Sequence, residues 1–182
     1  MFGFLRPCDL ERIDYGKTKI TSSYVRFVIL SPKERRSGSS IEKVCRINSH
    51  SIQHLCSVLA YKYYKSRIAS EPCWGPHPIN EELKINYLIR NFKDTYKKIT
   101  AQRIGKHINS LIDLIPLSAH EKIPKSRALG STIASKSGAS YEDVISLGFW
   151  SSKGIFDTYY QLSRAPLNKT TNLVLSENSG AT

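Results

Sequence analysis

Long apolar runs are missing from this chain of 182 residues. A membrane-spanning helix needs about 20 consecutive apolar residues, so no membrane partner is expected. Acidic residues are scarce, 15 Asp and Glu against 27 Lys and Arg, which leaves a formal charge of +12. That imbalance points to a polyanion, most often nucleic acid; a merely soluble basic protein is the plainer alternative. CxxC pairs are lacking too, and Cys8, Cys45, Cys56 and Cys73 form no Cys/His set with metal-ligand spacing. The four read as buried thiols of a reducing compartment, where the sequon Asn168-Lys169-Thr170 carries no weight. There is no internal repeat and no charged-then-apolar leader. MFGFLRPCDLER is patterned from residue 2, as expected of a chain that starts partway through a larger protein.

What is present suits one folded domain: 40% hydrophobic residues, distributed periodically. Pro7 opens a short predicted helix, PCDLERI, with Leu5, Leu10 and Ile13 on its apolar side, broken at Tyr15-Gly16-Lys17. Residues 23–30 and 41–48 are β-branched, aromatic or alternating, and predict an antiparallel hairpin joined by the basic connection SPKERRSGSS. A helix is expected over 51–68 with Ile52, Leu55, Leu59 and Tyr63 inward. The stretch SEPCWGPHPINEE must be loop, and ELKINYLIRNFKDTY is mixed. Ile104, Ile108, Leu111 and Ile115 mark an amphipathic helix within 99–115. PLSAHEKIP interrupts, SRALGSTIASKSG is a helix stopped by Gly138, and Ser140-Tyr141-Glu142-Asp143 starts YEDVISLG as a capping box. A last helix is expected from about 153 to 164, before a loose end at 176–182. The class is α+β, mainly helical with a small antiparallel sheet.

Four places carry possible chemistry. Arg6 sits at the start of the first helix, in LRPCDL. Lys33 lies at the tip of the predicted hairpin, beside Arg35 and Arg36. Lys125-Ser126-Arg127 opens a helix, and Trp150 precedes Tyr159 and Tyr160. Singly, each has a bland reading: surface arginines and loop lysines are usually solvated, and a Trp after a glycine is usually a packing anchor. Their order is more specific. R-x-x-D/E-L, a hairpin lysine, an arginine opening a helix, then G-x-W with a tyrosine about ten residues on, together resemble the catalytic domain of tyrosine recombinases, the phage-integrase superfamily. SPKERRSGSSIEKV, HLCSVLAYKYYKSRI, PKSRALGSTIASKSG and GFWSSKGIFDTYYQLSR are most similar to recombinases of DIRS-like retrotransposons and related fungal mobile elements. The resemblance covers nearly all of 4–175 and implies a recombinase catalytic domain over 1–175, without the helical core-binding domain that precedes it in full recombinases.

The resemblance implies site-specific cutting and rejoining of double-stranded DNA, as in mobile-element integration, with neither metal nor nucleotide cofactor. Tyrosine attacks a backbone phosphate to give a 3′-phosphotyrosyl bond and a free 5′-hydroxyl, and a second hydroxyl reverses the step. Arg6 and Arg127 are the expected clamp on the non-bridging oxygens, since guanidinium forks match them and stay charged. Lys33 is the expected general acid for the leaving 5′-oxygen. Trp150 is expected to donate its indole N–H toward the phosphate and to pack the nucleophile helix. Arg35 and Arg36 are expected on backbone phosphates.

One position departs from the pattern: Pro124 stands where most of the superfamily has histidine. Lys125 next door, or His120, is the candidate substitute. Of the two tyrosines, Tyr159 continues a stripe with Ile155 and Leu162, whereas Tyr160 lies off it with Phe156 and Ser163 and can reach a phosphate. Tyr160 is therefore the expected nucleophile; counting nine residues from the tryptophan favours Tyr159 instead. The rival functions are a catalytically impaired DNA-binding remnant and a type IB topoisomerase-like activity. The family further implies a homotetramer on DNA, monomeric when free, and a nuclear location in a eukaryote or a cytoplasmic one otherwise.

Overall fold

The computed structural model describes residues 4–36, 39–116, 125–148, 150, 154 and 156, with the backbone alone at 33–36, 39 and 40. The chain opens with α1 (Pro7–Glu11), whose first position holds the proline that needs no N–H partner. The Asp9 carboxylate accepts the Arg6 backbone N–H at 2.9 Å and is itself buried.

Past α1 the structure departs from expectation. The helix ends two residues earlier than predicted, and the supposed break at Tyr15-Gly16-Lys17 is the middle of β1 (Ile13–Ile20). Its register slips between Asp14 and Lys19, where the Gly16 N–H and the Thr18 hydroxyl bond back to Asp14. The local composition looks like a turn; pairing with β2 overrides it by absorbing the extra residues as a bulge.

The hairpin is present and longer than predicted: β2 spans Tyr24–Arg36 and β3 spans Ser39–Asn48. Most of the supposed connection is therefore strand. The β2–β3 register shifts between Leu30 and Arg35, and Ser31 takes φ +49°, a left-handed conformation unusual for serine. Lys33 accordingly lies within β2 inside that irregular stretch, not at the tip of a loop.

The sheet, ordered β1-β2-β3, is covered on both faces. Val25, Ile29 and Cys45 pack with Leu5, Ile13 and the helix α2 (Ser57–Arg67) in the main core. On the other face Val28 and Leu30 meet Cys73, Ile85 and Tyr87 beneath a small hairpin, β4 (Trp74–Pro76) and β5 (Lys84–Asn86), within residues expected to be loop or mixed. The helix expected from 51 starts at Ser57, after a 3₁₀ turn over Gln53–Leu55. That changes its phase. Val58 and Tyr61 are buried and Leu59 partly so, while Ile52, Leu55 and Tyr63 are exposed. Three of the cysteines are buried as expected; Cys8 is only half-buried.

Three helices complete the described fold: α3 (Ala101–Ile112), α4 (Ser126–Lys136) and α5 (Tyr141–Gly148). α3 packs Ile104 inward, yet ends before Ile115 and leaves Leu111 67% exposed, so the predicted apolar stripe is inward only in its first half. Gly138, at φ +90°, follows α4 as its glycine suggested. Ser140 caps α5 as predicted: its hydroxyl accepts the Asp143 N–H at 3.0 Å and donates to the Asp143 carboxylate at 2.7 Å.

Glu11 fastens α1 to the start of α3. One carboxylate oxygen accepts the Ala101 N–H at 2.9 Å, and the other accepts Lys98 Nζ at 2.7 Å. Burial alone would raise its pKa, but those two donors outweigh it and hold the carboxyl below its ordinary value. A depressed value means stabilisation that is present above the unfolded carboxyl's pKa and lost as pH falls through the folded one. Glu11→Gln is expected to remove about 1–2 kcal/mol of stability near neutral pH. Urea unfolding across pH should show the gap between variant and wild type closing below about pH 4. A gap that persists in acid would mean the effect is packing rather than charge.

Candidate active site

Arg6 stands at the N-cap of α1 in extended conformation, with Nη1 3.9 Å from the buried Asp9 carboxylate. Its backbone N–H is held by the same carboxylate, so Asp9 fixes both ends of the residue. Arg6 borders an open cavity of about 620 Å³ lined by Pro7 and Cys8 of α1, Gln102, Gly105 and Ile108 of α3, and Lys125, Ser126 and Arg127 at the start of α4. The structure thus brings Arg6, Lys125 and Arg127 to one place. Burial, then the Asp9 charge, push the Cys8 thiol up, so at neutral pH it presents a neutral S–H to this space.

Arg127 is 7% exposed. Its Nε donates to the Phe4 carbonyl at 2.6 Å, and its Nη2 donates to the Gly148 carbonyl. The guanidinium carbon lies 4.7 Å from the Trp150 ring centroid. Phe4 reaches this contact with φ +47°, strained for a residue with a large side chain. Two carbonyls and an aromatic face therefore orient one cation at the edge of the cavity.

Trp150 is buried in a third core with Phe4, Val144 and Phe156. Its ring meets Phe156 edge-on at 5.0 Å, and Phe156 meets Tyr141 the same way at 5.2 Å. Trp150 is thus both the packing anchor of the bland reading and the surface against which Arg127 lies. Phe156 is fully buried, where the sequence placed it on the side free to reach a phosphate. Aromatic packing against Trp150 draws Phe156 inward.

The arrangement depends on Gly148 having no side chain. A Cβ there would fall 1.7 Å from the Trp150 ring, an impossible contact. Gly148→Ala is expected to displace the indole, weaken the Arg127 support and destabilise the protein by about 1–3 kcal/mol. Of the two tryptophans, Trp74 is already 61% exposed, so a red shift in emission reports on Trp150. An unshifted spectrum with unchanged stability would contradict the packing.

Lys33, Arg35 and Arg36 lie in β2 by backbone, while their side chains fall outside the described residues, as do Tyr159, Tyr160, Pro124 and His120. Phe4 and Gly148 were missed as contributors because both act through backbone carbonyls, which composition does not reveal; the glycine ahead of Phe149-Trp150 was the only signal. Among the described residues no group of three or more His, Cys, Asp or Glu side chains could hold a metal ion. Chemically, the site is a cavity lined by three cationic residues, Arg6, Lys125 and Arg127, a composition suited to a tetrahedral oxyanion such as phosphate.

No protein-family model matches the chain, and no curated protein matches its sequence. Solved structures do match. The crystal structure of XerA recombinase aligns with a TM-score of 0.59 and 14% identity, over 95% of this chain and 54% of that one. A structure of the Tn1549 transposon integrase in complex with circular intermediate DNA aligns with a TM-score of 0.53 and 16% identity, over 94% and 53%. The chain spans about half the length of these solved structures. At such identities the likeness is one of fold: the α+β architecture expected from the sequence is shared with a recombinase and an integrase.

Proposed function

We propose that the chain is the catalytic domain of a tyrosine recombinase that cuts and rejoins double-stranded DNA. The observation that carries this reading is the meeting of Arg6 from α1 and Arg127 from α4 at one cavity, with Lys125 beside them, in a fold shared with XerA recombinase. In the proposed reaction the Tyr160 phenol gives up its proton to solvent as its oxygen attacks the scissile phosphorus. The P–O5′ bond breaks as the phosphotyrosyl bond forms, and Lys33 protonates the departing 5′-oxygen. Arg6 and Arg127 bear the charge that builds on the non-bridging oxygens. A 5′-hydroxyl from another strand reverses the sequence, so the bond energy is retained and no nucleotide is consumed. The motifs favour a DIRS-like mobile element as the source, with assembly as a tetramer on paired sites and a nuclear location in a eukaryotic host.

Pro124 favours a second reading, a DNA-binding remnant without chemistry, because proline cannot replace a histidine's donor. Nicked suicide duplexes drawn from the DNA flanking the coding region, together with supercoiled plasmid, separate the possibilities. Covalent adducts with recombinant products support the recombinase. Relaxation without recombinants assigns a topoisomerase, and binding with neither assigns the remnant.

A further inference from the structure

The sheet face that carries Val28 and Leu30 has, toward the other end of its strands from the β4–β5 hairpin, an accessible arrangement that the cavity does not use. Lys19 of β1 lies directly opposite Arg26 of β2, and Arg26 lies directly opposite Arg46 of β3. Directly paired residues share a face with their Cβ atoms about 5 Å apart, and like charges so placed repel. The face is settled by the neighbours: Ile20, Val25 and Ile47 belong to the main core, so the adjacent row Lys19–Arg26–Arg46 faces away from it. Beside the row, the Arg46 guanidinium lies 3.9 Å from the Tyr24 ring centroid and its Nε donates to Asn48, which orients the fork. Among the described residues none of the three cations has a carboxylate within ion-pairing distance. The nearby Glu42 pairs with Lys17 instead.

We infer that this row is a second DNA-backbone contact, a strip that grips phosphates of the duplex away from the site of cleavage. The inference rests on the recombinase reading. Three cations repelling one another across a sheet lower its stability, and a polyanion is the partner that turns that repulsion into attraction. Arg36, the last residue of β2, lies ten positions further along the same strand, beyond the irregularity between Leu30 and Arg35. A duplex that follows the sheet meets both the hairpin end and the row.

The test compares the full-length wild type with the triple variant Lys19→Gln, Arg26→Gln, Arg46→Gln, using a fluorescein-labelled duplex at about 50–200 mM salt. Each phosphate contact contributes about 0.9 to the slope of log K against log salt, so the triple variant should be flatter by about 2.7. Its unfolding midpoint should be unchanged or higher, because the repulsion is gone. If the triple variant does not fold, the single variant Arg26→Gln should still be flatter by about 0.9. An unchanged slope in a folded variant overturns the strip and leaves the recombinase reading standing. Loss of poly-glutamate binding with an unchanged DNA slope assigns the face to an acidic protein and equally overturns it. A wild type that does not bind the duplex overturns both.

Discussion

Tyr160→Phe abolishes the covalent adduct on a nicked suicide duplex, whereas Tyr159→Phe retains it: this is the largest effect expected of any single substitution in the chain. Phe156, on the same side of the predicted helix, is fully buried against Trp150. On the 3.6-residue period expected for 153–164, Tyr160 shares its side of the helix with Phe156, four positions earlier. Removing the phenol oxygen removes the attacking atom, so no residual adduct is expected, only binding. An adduct formed by Tyr160→Phe and lost in Tyr159→Phe would reverse the assignment.

Arg127→Lys should slow single-turnover cleavage by about 10²–10³-fold while duplex affinity changes little. The conservative change is the informative one. A lysine keeps the charge but is a point cation, and it cannot donate to the carbonyls of Phe4 and Gly148 while lying flat on Trp150. Arg127→Ala would confuse matters by leaving two buried carbonyls without their donor. Near-wild-type cleavage by a folded Arg127→Lys protein would show that the site needs only a positive charge, and the clamp would have to be assigned elsewhere.

Much of this was legible in the sequence, for identifiable reasons. The β2–β3 hairpin announced itself through β-branched alternation, α5 through Ser140 and Asp143, and the end of α4 through Gly138. These are local signals, and local physics decided them. β1 was hidden because Tyr-Gly-Lys-Thr-Lys has the composition of a turn and becomes strand only when β2 supplies a partner. The inward face of α2 was misjudged because a 3₁₀ turn shifts the helix start, which rotates every later side chain. At the site, the order of Arg6, Arg127 and Trp150 along the chain foretold that they meet. How they are held was not legible, since the Phe4 carbonyl and the absent side chain of Gly148 leave no periodic trace.

Phe4 and Leu5 are neighbours in the chain, yet Phe4 is buried in the core with Val144, Trp150 and Phe156, while Leu5 is buried with the sheet and α2. The left-handed backbone at Phe4 is where the chain divides between them. This has a consequence for the order of folding. Leu5 can settle once the sheet and α2 exist, but Phe4 must wait for Arg127, 123 residues further on. That closure carries a large loop entropy and makes the last contacts among the least local in the molecule. The sheet region can therefore be structured during synthesis while the cavity's far wall is still unmade. The Arg127 guanidinium, held between the Phe4 and Gly148 carbonyls, can be seated only once both of those distant stretches of chain have been made.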